Sequence, residues 1–97
     1  MSDLRTPEVD NLAYALAKID DPDTVFALLE DMCTIREIKE TSQRLDVARL
    51  LAGGKSYSVI EQITGASATT IARVSKCLSY GSGGYAAALA LLDERDA

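Results

Sequence analysis

The stretch GASATTIARVSKCL, residues 65–78, holds the residue types that suit contact with a nucleic-acid duplex: Ser67, Ala68, Thr69, Thr70, Ala72, Arg73 and Lys76. Arginine can read guanine through two hydrogen bonds, threonine and alanine can touch thymine methyl groups, and lysine can reach phosphate. Short side chains at the leading end let a helix enter a major groove about 12 Å wide. Ser67 as N-cap leaves the positive end of a helix dipole free to meet a phosphate. Lys55, in a loop shortly before, adds a further cation. Catalytic chemistry lacks its parts. The chain has no histidine, no paired-cysteine motif, no phosphate-cradling loop and no nucleophile–base pair. GSGGY at 81–85 has no strand before it and reads as a hinge. Neither an enzyme nor a metal site is expected.

Such a face needs a helix held against a core, and the chain reads as six helices with no strand. Thr6 caps the first, with Pro7 at N1, and Leu12, Leu16 and Ile19 form its stripe. Asp21 caps the second, with Val25, Leu28, Leu29 and Met32 on its apolar side. TIRE is a capping box, Thr34 with Glu37, and opens the longest helix, which runs to about Leu51 or Ala52. Ile35, Ile38, Leu45, Ala48 and Leu51 suit its buried face, and Gly53-Gly54 end it. SVIE repeats the capping-box logic with Ser58 and Glu61 and starts a short fourth helix. Ser67 caps the fifth, from residue 68 to about 78. YAAALALLDERD forms the sixth.

A short helix, a turn containing Gly65 and a second capped helix make a helix-turn-helix. Ile60 and Ile63 on the first, with Ile71, Val74 and Leu78 on the second, are expected to close an aliphatic core between them. Glu61 sits where such units usually place alanine. Its head therefore either reaches water or bonds back to Ser58.

Composition bounds the setting. The 97 residues are 47% hydrophobic but only 5% aromatic, so the core must be aliphatic. A single domain over 1–97 is expected, with 1–55 as dimerisation helices, 56–78 as the helix-turn-helix, and 79–97 as a flexible break and C-terminal helix. The aliphatic excess leaves apolar surface that a second copy could cover. The net charge of -5 hides an asymmetry. Residues 1–35 carry two cations and eight carboxylates, residues 36–80 seven and four, and residues 81–97 one and three. The basic segment is the one that contains the candidate reading face. Cys33 and Cys77 sit in apolar patterns and read as buried free thiols of a reducing cytosol. No apolar run approaches the ~18–20 residues of a membrane span, and MSDLRTPEVD lacks the regions of a signal peptide. The expected location is cytoplasmic.

TIRE, QRLDVARLL, TGAS, TIARVSKCL and YG together resemble the Trp repressor superfamily. Within it they are similar to the small bacterial TrpR-related YerC/YecD family of transcriptional regulators, over roughly residues 25–92. The resemblance implies an all-α, six-helix, intertwined homodimer that holds out the helix-turn-helix as a reading head. It also implies an effector pocket. Arg44 matches the arginine on the long helix, Arg73 the one on the recognition helix, and Thr34 a threonine that lines the site. Two departures argue against tryptophan itself. Val74 replaces a glycine and fills space an indole needs. Cys77 replaces a serine that bonds the ligand's polar end, and a thiol is a poorer partner. No cofactor is therefore expected. Tryptophan or another small corepressor, held by Thr34, Arg44, Arg73 and Cys77, is the exception to test.

The reading that follows is a sequence-specific transcriptional regulator, a repressor by resemblance, binding double-stranded DNA as a homodimer. The alternative is a helical protein-interaction module with no operator of its own.

Overall fold

The computed structural model describes residues 3–97. Among the described residues six helices follow one another: α1 (Pro7–Lys18), α2 (Pro22–Met32), α3 (Ile35–Ala52), α4 (Tyr57–Thr64), α5 (Ala68–Tyr80) and α6 (Gly84–Asp96). No strand occurs among the described residues. No helix among them is long and apolar enough to cross a membrane. The chain forms two compact units that divide between Ile38 and Lys39.

The first unit is built by local capping. Thr6 Oγ1 accepts the Val9 amide at 3.3 Å, and Pro7 begins α1 as the residue order predicts. Asp21 accepts the Asp23 and Thr24 amides and the Thr24 hydroxyl, the last at 2.7 Å. The Thr24 hydroxyl, then the Asp23 amide, hold its carboxyl below the usual aspartate range. Thr34 and Glu37 form the expected capping box, with bonds of 2.8 and 3.1 Å between each backbone amide and the other's side chain. The Thr34 amide is the main cause of the lowered Glu37 pKa. What the first unit lacks is a core. Neither α1 nor α2 has a buried residue. Leu16, Ile19, Val25, Leu28 and Leu29 are half-buried, while Met32 and Ile35, expected inside, are 51% and 76% exposed. A helix hydrophobic on one side and uncovered there is stable only with more surface to pack against.

The second unit carries the core. Val47, Ala48, Ile60, Ala66, Ile71, Val74 and Leu89 are buried, with Leu45, Leu50, Leu51, Leu78, Tyr85 and Leu92 packed around them. These positions come from α3, α4, the turn after it, α5 and α6, so the core is aliphatic as composition requires. A Schellman-type end closes α3. The Lys55 amide donates to Leu50 O and the Gly54 amide to Leu51 O, with Gly54 left-handed at φ +83°. The far end of the unit is clipped by charge. Asp96 accepts from Arg95 at 2.8 Å and pairs with Arg49 on α3. Arg95 first, and Arg49 after it, hold the Asp96 carboxyl below its ordinary value.

Three sequence expectations fail here. Ser58 does not cap α4. Ser56 does, accepting the Val59 amide at 3.2 Å. Starting two residues earlier gains further backbone hydrogen bonds, Ile60 N to Ser56 O among them, which a helix of eight residues needs. Glu61 is accordingly no capping-box partner and is exposed to water. Ile63 lies outside the core and is 58% exposed. It stands about 60° around the helix from Ile60, on the side away from the buried cluster. Cys77 is exposed and Cys33 half-buried, both as free thiols. Cys77 lies beside the stripe of Ile71, Val74 and Leu78, not on it.

Candidate nucleic-acid interface

The α4–turn–α5 unit is fixed from inside by apolar burial and at its bend by polar contacts. Ile60 and Ile71 are fully buried and Val74 nearly so. On α5, Ile71, Val74 and half-buried Leu78 follow the i, i+3, i+7 pattern of one helix face. Gly65 ends α4 at φ 74°, ψ 4°, the left-handed geometry glycine adopts without penalty. Thr64 then organises the bend. Its hydroxyl donates to Ile60 O at 2.7 Å and accepts the Ala66 amide at 3.1 Å. Its carbonyl accepts from Gln43 Nε2 of α3 at 3.0 Å. Ala66 is buried, and Ser67 caps α5 by accepting the Thr70 amide at 3.2 Å.

The opposite face of α5 is open. Ser67, Ala68, Thr69, Ala72, Arg73 and Lys76 are all exposed. Thr69, Ala72, Arg73 and Lys76 fall within about 100° of one another around the axis. Thr70 stands apart from them. It is half-buried, and its hydroxyl receives the Ser67 hydroxyl at 3.1 Å, so it belongs to the cap. Lys55 is exposed in the loop that leads into α4. No acidic residue occurs in α5. The positive end of its dipole and its two cations thus meet no opposing charge along the helix itself.

Sequence reasoning missed two residues. Tyr80 is 86% exposed and continues the Ala72, Lys76 row at a spacing of four. The signal was present, but the predicted helix stopped at Leu78. Gln43 gave no signal, because its partner Thr64 lies 21 residues away.

The positions of the effector expectation are divided between the two units. Arg44 is half-buried and donates to Thr41 Oγ1 at 3.4 Å. Arg73 and Cys77 are exposed on α5. Thr34, in the other unit, uses its hydroxyl to cap α3. Val74 is 1% exposed, so its isopropyl group fills core volume. No cluster of metal-binding side chains occurs among the described residues.

A six-helix chain with a helix-turn-helix whose second helix buries one face and bares a cationic one defines a class of small helical proteins. The sequence profile of the Trp repressor protein family matches residues 7–93, and the chain belongs to that family. It is 42% identical over 93 residues to the uncharacterized protein YerC of Bacillus subtilis (strain 168), covering 96% of this chain and 89% of that protein. The crystal structure of a TrpR-like protein from Eubacterium eligens ATCC 27750 superposes with a TM-score of 0.87 at 40% identity, covering 93% of each chain. A structure from Staphylococcus aureus gives 0.86 at 36% identity, over 93% of this chain and 90% of the other.

Proposed function

We propose that the protein is a cytoplasmic, homodimeric, sequence-specific DNA-binding regulator, most simply a repressor, with no catalytic role. The observation that carries this reading is the division of α5 into a fully buried face, Ile71 and Val74, and an exposed cationic face, Arg73 and Lys76. Family membership supports it. The absence of any buried residue in α1 and α2 supports a second copy, because those apolar stripes need a cover.

In this mechanism each protomer sets α5 into a major groove. Ala68, Thr69, Ala72 and Arg73 face base edges. Ser67, Thr70, the α5 amides, Lys76 and Lys55 meet or order the phosphate contacts. Two-fold symmetry places the heads about 34 Å apart on a near-palindromic site. Charge acts strongly on binding only within a Debye length of ~8–10 Å, and the net charge of -5 should lower non-specific binding more than specific binding. The buried Val74 disfavours a bound indole, so DNA binding without tryptophan is the expected state.

Selection of bound duplexes from a fragmented genomic library, with an Arg73→Ala/Lys76→Ala double variant in parallel, tests the reading. A near-palindrome recovered by the wild type and not by the variant is expected. Arg73→Ala alone should cost about 1–3 kcal/mol and relax base preference. Recovery of no site, with and without tryptophan, would leave the helical head as a protein-docking element instead.

A further inference from the structure

We infer that Gln43 is a positioning residue that sets the angle of the α4–α5 head on the long helix α3. Its consequence for DNA rests on the reading function proposed above, while the tether itself does not.

The head meets α3 in two ways. One is apolar, through Val47 and Ala48, which join Ile60, Ile71 and Val74 in the buried cluster. Such contacts are non-directional, and a small rocking of the head changes the buried area little. The other is the bond from Gln43 Nε2 to the Thr64 carbonyl, 3.0 Å long and partly buried. Hydrogen bonds weaken steeply as they bend or lengthen, so this contact resists rocking where the apolar one does not.

Its placement makes it effective. Gln43 lies one helical turn before Val47, on the face of α3 that carries the core. Thr64 is the last residue of α4, where carbonyls lack a partner within the helix. The Thr64 hydroxyl is already committed to Ile60 and Ala66. A pull on its carbonyl therefore reaches both the end of α4 and the bend, and Ser67 follows two residues after Gly65. α5 has 13 residues and extends about 20 Å from that bend. A tilt of about 5° there would carry Lys76, about 12 Å along the helix, through about 1 Å, enough to weaken a phosphate contact made by that side chain.

The flank beside this bond is an open groove lined by Lys39, Ser42, Asp46 and Ile63 as well as Gln43 and Thr64. Side chains of other shapes fit at position 43 without displacing the core. Gln43→Met keeps length and removes the donor, whereas Gln43→Lys keeps a donor. Two readouts test the tether in the full-length protein.

The first is free of DNA. Residual dipolar couplings should show α5 less ordered relative to α3 in Gln43→Met, and the Ala66 amide should exchange several-fold to about tenfold faster, the scale of one hydrogen bond. Gln43→Lys should restore both. Unchanged couplings and exchange in Gln43→Met would overturn the tether. The second uses the selected duplex and versions with one base pair added or removed between its half-sites. Gln43→Met should lose about tenfold of the spacing preference at unchanged random-duplex affinity and helical content. A preference kept in full, with α5 loosened, would overturn the role in reading. If the wild type selects no duplex, the DNA function fails, and the couplings and exchange still decide whether Gln43 orients the head.

Discussion

Replacing Gly65 by alanine isolates the cost of the bend. At φ +74° a Cβ would meet nothing within 4 Å, so the substitution introduces no clash. What remains is conformational. An L-residue in left-handed geometry costs about 1–2 kcal/mol, and the stiffer unfolded chain returns about 0.4–1 kcal/mol. The net loss is about 1 kcal/mol. For a chain of this size that lowers Tm by about 4–8 °C. Thermal unfolding followed by circular dichroism measures it, at fixed protein concentration because association shifts Tm. Asparagine tolerates this backbone, so Gly65→Asn should recover part of the loss. Gly81 supplies the contrast. Its φ of -82° suits any residue, but a Cβ there would lie 2.4 Å from the Cys77 carbonyl oxygen. Asparagine should therefore rescue position 65 and fail at position 81. An alanine variant at 65 as stable as wild type, or equal rescue at both positions, would refute a purely dihedral cost at the turn.

Two further outcomes follow from charge. Lys76 and Lys55 give two phosphate-facing cations per head. Two heads that neutralise four phosphates predict a slope of about -3.6 in log K against log salt, measured by fluorescence anisotropy. A slope near zero would remove these residues from the phosphate contacts. Asp96, Asp21 and Glu37 all have pKa values lowered by the folded state. Their stabilisation is present above the ordinary carboxylate range and is lost as pH falls through the lowered values. Urea midpoints should be flat near neutral pH and decline below about pH 4. Asp96→Asn should flatten part of that decline, and an unchanged acid limb would assign the loss to other groups.

What the sequence disclosed was local. Thr6, Asp21, Thr34 with Glu37, and Ser67 cap helices within three residues of themselves, and each bond is present. Gly65 was legible for the same reason. The start of α4 was not, because KSYSVIE offers two serines with plausible caps. The choice falls on Ser56, which lets the helix begin directly after the Gly54 reversal. Ile63 and Ile35 depart from expectation because periodicity reports which residues could share a face, not which face meets a neighbour. Val47 shows the converse: it lies outside the expected stripe of α3 and is fully buried. Of the candidate interface, the exposed row on α5 was readable from helical spacing as far as the helix was drawn. Gln43 was not, since a tertiary hydrogen bond leaves no trace in the spacing of either partner.

The two faces of α5 share no residue, and this bears on how such a protein diversifies. Ile71 and Val74 hold the helix in place, whereas Thr69, Ala72, Arg73 and Lys76 stand clear of the packing. Exposed substitutions away from caps and cores usually change stability by less than about 0.5 kcal/mol. Lineages can therefore rewrite the outward row almost freely while inheriting the inward one intact. Descendants of one ancestral scaffold could acquire separate recognition preferences through a few neutral steps, without passing through an unfolded intermediate sequence.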